Sequence, residues 1–126
     1  DDFDELGVPL AAVVKVWCVH SRPNFSLPWQ RKKQVRSSGS GFCIDLKRRA
    51  ILTNAHCIEW QAQVKVQRRG SDVKHLAKVL HVGWDCDCAV LTCEEDEFWE
   101  GMQAVELSKQ TPHLEDPVLC VGFPVG

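Results

Sequence analysis

Short apolar runs, none longer than a strand, recur along the chain at close intervals and are parted by glycine, proline or charged residues; this rhythm constrains the fold more than any other feature. Residues 12–19 (AVVKVWCV) are rich in β-branched side chains over strand length and stop before Arg22-Pro23. Residues 41–45 (GFCID) and 50–53 (AILT) flank the polar link Leu46-Lys47-Arg48-Arg49 in the manner of a hairpin. Residues 64–67 alternate apolar and polar ahead of Arg69-Gly70-Ser71-Asp72, a turn signal. Residues 76–82, 88–93 and 118–121 supply further short runs, and helix is suggested only briefly, around residues 55–58 and 95–101. Strands so spaced predict an all-β, antiparallel barrel or sandwich and exclude a βαβ layout. No internal repeat, heptad or low-complexity tract interrupts them.

At 126 residues the chain can build one domain with a real core. A hydrophobic content of 44% and a charged content of 25% are ordinary for a folded globular protein. The net charge of -2 gives no global attraction to nucleic acid or anionic lipid. The longest apolar stretch, residues 8–14, is far short of the roughly 20 residues a membrane span needs. Seven cysteines are an odd number in a chain long enough to fold without a disulfide framework, which favours a reducing or mixed compartment. The start Asp1-Asp2-Phe3-Asp4-Glu5 has no Met and the end Pro124-Val125-Gly126 has no natural stop, so both ends read as those of a fragment, with any targeting segment removed. Residues 20–38 read as a long loop: Pro23 and Pro28 oppose ladder pairing, and Arg31, Lys32, Lys33 and Arg36 make it basic.

Two residues carry the chemistry. His56 stands in Leu52-Thr53-Asn54-Ala55-His56-Cys57, just after an apolar strand and at a turn, where a rigid scaffold can present a base to a cleft. Asp87 stands at the mouth of the apolar run Cys88-Ala89-Val90-Leu91, where a carboxylate is costly to desolvate unless hydrogen-bonded, and orienting a histidine is a reason to keep it there. Asp85 is the competitor for that role, on the same face if the segment is a strand.

With these residues in place, the chain resembles the Deg/HtrA family of trypsin-like serine proteases. Ser38-Gly39-Ser40-Gly41-Phe42, LTNAHC, DCAVL and Val121-Gly122-Phe123-Pro124-Val125-Gly126 occur in the family's order and approximate spacing, over nearly all of residues 12–126. Residues 24–30 (NFSLPWQ), 63–70 and 97–101 (EFWEG) are similar to the plant chloroplast, stromal-side Deg branch. The resemblance implies a chymotrypsin/trypsin-like fold, of which residues 1–126 are the first barrel and the opening strand of the second. It implies that His56 is the general base and Asp87 the acceptor that fixes its tautomer. It also implies an ATP-independent serine endopeptidase of damaged or unfolded proteins, acting in chloroplast quality control and photosystem repair at the stromal side of the thylakoid, peripheral to that membrane, as a trimer or hexamer and without a cofactor. The family's nucleophile lies in a Gly-Asn-Ser-Gly-Gly turn, a string this sequence does not contain, and its PDZ domains are likewise not in residues 1–126. The chain alone is therefore expected to be inactive. Ser40, between Gly39 and Gly41, reads as a turn residue leading into a strand.

Blander readings compete at every point. His20, His75, His81 and His113 lack such flanking motifs and read as surface or strand-end residues. Cys57 raises a Cys–His hydrolase, but neighbours on a helical turn do not face one another, and a buried thiol is the simpler reading. Extracellular trypsin relatives bridge a cysteine at this place to an upstream strand, for which Cys43 is a candidate partner. His81, Cys86, Cys88 and Cys93 are the best metal-ligand set, yet the spacing is wrong for a C-x-x-C knuckle and Cys88 falls in an apolar run better explained by core packing. The Arg31-Lys32-Lys33 cluster beside Trp29 could meet phosphate or an acidic partner, though a solvated loop face or a subunit contact accounts for it. Glu94-Glu95-Asp96-Glu97 reads as a solvated turn entering a short helix, with Phe98 and Trp99 inward. From another class altogether, the same chain could serve as a non-catalytic binding or chaperone-like module.

Overall fold

The computed structural model describes residues 10–21, 29 and 35–123. Six strands, β1 (Val13–His20), β2 (Val35–Asp45), β3 (Ala50–Thr53), β4 (Gln61–Arg68), β5 (Lys74–Gly83) and β6 (Cys88–Cys93), close into one antiparallel barrel in the order β1-β2-β3-β6-β5-β4, with β4 returning to β1. Closure leaves no edge strand to protect among the described residues. The all-β antiparallel expectation is met, and six of the seven apolar runs are strands.

Alternation dictates which side chains fill the interior. Val14, Val16 and Cys18 of β1 point inward, as do Cys43, Ile51, Val64, Val66, Ala77, Ala89, Leu91 and Cys93 from the other strands. After β6 the chain turns through the short helix α1 (Asp96–Trp99), whose Phe98 and Trp99 close over this core with Met102. Burying a ring such as Phe98, which is fully enclosed, contributes about 2–3 kcal/mol. Arg68 donates to the Phe98 carbonyl at 3.1 Å and also to that of Glu100, so the helix is tied back to β4. Trp99 donates its indole N–H to the Cys93 carbonyl at 2.7 Å.

The glycines of Ser38-Gly39-Ser40-Gly41 face the inside of the barrel wall. A Cβ on Gly41 would lie 3.1 Å from Ile51 Cγ2 and 3.2 Å from Val16 Cγ2, and one on Gly39 would lie 2.8 Å from Cys57 Sγ. The serines alternate outward. Ser40 is a strand residue rather than a turn residue: its carbonyl accepts from the Thr53 hydroxyl at 2.7 Å and its Oγ from the Phe123 N–H at 2.6 Å.

Several expectations are corrected. The supposed loop of residues 20–38 is shorter, because β1 runs through His20 and β2 starts at Val35; Pro23, Pro28, Arg31, Lys32 and Lys33 lie outside the described residues. Residues 118–121, read as the opening strand of a second barrel, have no ladder partner among the described residues, and Val118 and Leu119 are exposed. A strand needs a neighbour to satisfy its backbone, and among the described residues none is offered there. His75 is a core residue, 4% exposed, because β5 places it on the inner face beside Phe98.

Candidate active site at the β3–β6 end of the barrel

The β3–β6 register explains how residues far apart in sequence become neighbours. Thr53, the last residue of β3, pairs with Ala89, the second of β6. Because the strands are antiparallel, whatever follows Thr53 and whatever precedes Ala89 must emerge at the same end of the barrel. His56 and Asp87 do so. His56 rides on the 3-10 turn Ala55–Ile58, seated by the buried Ala55 and Ile58. Asp87 ends the turn from β5 into β6, its N–H bonded to the Trp84 carbonyl at 3.2 Å and its φ at 52°, in the left-handed region.

Four hydrogen bonds from residues 54, 55 and 56 converge on Asp87. Asn54 Nδ2 at 3.4 Å and the Ala55 N–H at 3.1 Å donate to its carbonyl; the His56 N–H donates to Oδ1 at 2.8 Å, and His56 Nδ1 lies 2.6 Å from Oδ2. The bond from the His56 backbone N–H, then that from the ring, favours the ionised form and holds the Asp87 carboxyl below its ordinary value of 3.8. An ionised carboxylate can only accept, so Nδ1 is the nitrogen that donates to it, and no described residue engages Nε2. The His56 side chain is 66% exposed and that of Asp87 45%. The arrangement is chemically a base with its tautomer set and its basic nitrogen open.

Asp85, the competing carboxylate, is exposed in the turn rather than on a strand, so the shared-face argument does not apply to it. Cys57 turns toward the barrel wall: its Sγ would lie 2.8 Å from a Cβ on Gly39, and burial pushes its thiol up. Cys43 is free and faces the core, so the suggested Cys43–Cys57 bridge is not made. The candidate metal set is scattered. Cys93 is buried in the core while Cys86 is exposed, and among the described residues no three His, Cys, Asp or Glu side chains converge. Cys88 is only half-buried, since Ala89, Leu91 and Cys93 occupy the inner face of β6. Sequence reasoning missed the part played by Asn54 and Ala55, whose donors brace the Asp87 carbonyl; their place in the three residues after β3 was the available signal.

Residues 39–126 match the trypsin-like peptidase domain. The chain is 50% identical over 117 residues to protease Do-like 2, chloroplastic, of Arabidopsis thaliana, covering 93% of this chain and 19% of that protein. It is 41% identical over 115 residues to the mitochondrial protease Do-like 4 of the same plant, covering 91% of this chain and 22% of that protein. The chain thus spans about a fifth of the length of these curated relatives. Among solved structures, the active form of the Rv3671c protease from M. tuberculosis superposes with a TM-score of 0.59 at 20% identity, over 82% of this chain and 37% of that one, a likeness of fold. The chain belongs to the trypsin-like peptidase domain family, within its Deg/HtrA proteases.

Proposed function

We propose that these residues form the base-bearing part of a serine-type endopeptidase of the Deg/HtrA type, in which His56 is the general base and Asp87 its orienting carboxylate. The observation that carries this reading is the double grip of Asp87 on His56, at 2.8 Å to the backbone N–H and 2.6 Å to the ring. In the reaction, a serine hydroxyl attacks the scissile carbonyl while His56 Nε2 takes its proton and returns it to the leaving amine. Asp87 stays ionised and stabilises the imidazolium that forms between the two steps. Residues 1–126 hold no Gly-Asn-Ser-Gly-Gly string, so on this reading the serine and the N–H groups that receive the oxyanion come from outside them, and the 126 residues by themselves are inactive.

The wider role follows by resemblance: ATP-independent removal of damaged or unfolded proteins by a homo-oligomer. A chloroplast location is supported by the 50% identity to a relative whose name places it there, the mitochondrial name of another relative at 41% being the alternative; photosystem repair as the task rests on the family resemblance alone. A second reading, a binding module for unfolded chains, draws on the exposed Leu107, Leu114, Val118 and Leu119 of the trailing segment.

Casein turnover and fluorophosphonate labelling test the assignment. In the whole protease, His56→Ala is expected to abolish both, and the 126-residue chain alone is expected to show neither. Turnover that survives His56→Ala, or a labelled serine within residues 1–126, would overturn the assignment. Capture of unfolded casein by the whole protein without cleavage would favour the binding module.

A further inference from the structure

Asp87 is flanked by two cysteines, and nothing in the proposed chemistry uses them. Cys86 is exposed in the turn between β5 and β6, and Cys88 is the first, half-buried residue of β6. Both thiols are drawn in toward the turn. Cys86 Sγ donates to the Gly83 carbonyl at 3.5 Å, and Cys88 Sγ donates to the Cys86 carbonyl at 3.4 Å. Gly83, which pairs with Cys88 across the hairpin, makes the room for this: a Cβ there would lie 3.0 Å from Cys86 Sγ.

Backbone geometry suits a bridge between the two cysteines. In an extended strand, residues i and i+2 lie about 6.5 Å apart, near the upper limit for a disulfide. Asp87, between them, has φ 52°. A residue in the left-handed helical region shortens the i to i+2 Cα separation to about 5.4 Å, inside the common range of disulfides. The same dihedral that aims the Asp87 carboxylate at His56 therefore brings the Cα atoms of the two cysteines to a separation that a disulfide can span. Any bridge between residues 86 and 88 must in turn restrain that dihedral.

We infer that Cys86 and Cys88 form a reversible dithiol–disulfide site that clasps Asp87 and, when oxidised, locks its backbone in the conformation that holds His56. The oxidant is a small-molecule disulfide such as oxidised glutathione. The exposed Cys86 thiolate attacks one sulfur of that disulfide and expels a glutathione thiolate, leaving a mixed disulfide. The Cys88 thiolate then attacks Cys86 Sγ and expels the second glutathione thiolate. Two electrons leave the cysteine pair and reduce the glutathione disulfide, and the two cysteine protons end on the two glutathiones. Cys88 suits the resolving role: desolvation, and then its neighbour Cys86, raises its thiol above the ordinary value, so it forms thiolate less readily in the open solution. The inference stands on the geometry of Asp87 and does not depend on which reaction His56 serves.

The test equilibrates the chain with reduced and oxidised glutathione, quenches with iodoacetamide, and maps the peptides by mass spectrometry. Cys86 and Cys88 are expected to lose alkylation together and to appear linked within one molecule. In Cys88→Ser, Cys86 should persist as a glutathione mixed disulfide, whereas in Cys86→Ser, residue Cys88 should stay unmodified. A Cys86–Cys120 link, a link between two molecules, or stable glutathionylation of Cys86 in the unsubstituted chain would each overturn the site. Hydrogen exchange reads the lock: the His56 N–H, which donates to Asp87 Oδ1, should exchange more slowly after oxidation. Unchanged or faster exchange in a chain shown to carry the 86–88 link would overturn the clasp.

Discussion

Two histidines in this barrel meet a carboxylate through Nδ1 at almost the same distance, 2.7 Å for His75–Glu95 and 2.6 Å for His56–Asp87, yet they are built for different ends. The His75 side chain is 5% exposed and its ring meets Phe98 edge-on with centroids 5.3 Å apart, while Glu95 is half in solvent. Packing fixes that histidine, and the carboxylate partners its Nδ1. At the other pair the order is reversed. Asp87 is fixed by four hydrogen bonds and the ring is left open. If His56 is the base proposed above, the contact between a histidine and a carboxylate does not by itself mark one; what differs between the two pairs is which partner the scaffold immobilises.

The largest effect should come from changing the immobilised carboxylate. Asp87→Asn keeps the size of the side chain but lets an amide N–H face Nδ1, so the wrong ring tautomer is favoured, and the whole protease should lose roughly 10⁴-fold in kcat. Its folding stability should move little, because the side chain is half-exposed. A casein or peptide assay beside a urea melt separates the two. An Asp87→Asn protease that keeps its rate would erase the distinction between the pairs.

His75→Ala should do the opposite. Removing a buried ring from beside Phe98 leaves a cavity and an unpaired Glu95, at a cost of about 2–4 kcal/mol in stability. Activity per folded molecule should be unchanged. The urea midpoint measures the first statement and an assay well below that midpoint the second.

The sequence made this contrast only half visible. Strand positions could be read because β-branched runs at short spacing between turn residues have few other solutions, and β6 and β3 fall where expected. His56 and Asp87 could be singled out because both sit against apolar strands, where a titratable group must have a reason. His75 could not, since Lys74-His75-Leu76-Ala77 carries no inward signal until the partner strands decide which face is covered. The same limit applied to Cys88, whose apolar surroundings in sequence do not say on which side of β6 it stands. Residues 118–121 show the converse failure, an apolar run with strand composition and, among the described residues, no strand to pair with.

A smaller effect should follow from disturbing the seat of the turn that carries His56. Gly39→Ala places a methyl 2.8 Å from Cys57 Sγ, inside contact distance, and should cost about 1–3 kcal/mol through overpacking. Cys57→Ala in the same chain removes the sulfur and should recover most of that loss, giving a non-additive double-mutant cycle. Additive losses would mean that Gly39 is required for another reason, and that the turn is not seated through Cys57.

The finest test separates the two bonds by which Asp87 is held. Hydrogen bonding favours its ionised form in the fold, so its folded pKa lies below the ordinary 3.8. A depressed carboxyl contributes stability that is fully present above that ordinary value and is lost as pH falls below 3.8 through the folded value. The largest single cause of the depression is the His56 backbone N–H, followed by the hydrogen bond from its ring. His56→Ala removes only the ring, so the Asp87 carboxyl, followed by carbon NMR across the acid range, should rise only part of the way back to 3.8. A complete return would show that the ring alone holds the carboxylate, which would make this pair the same kind of contact as His75–Glu95.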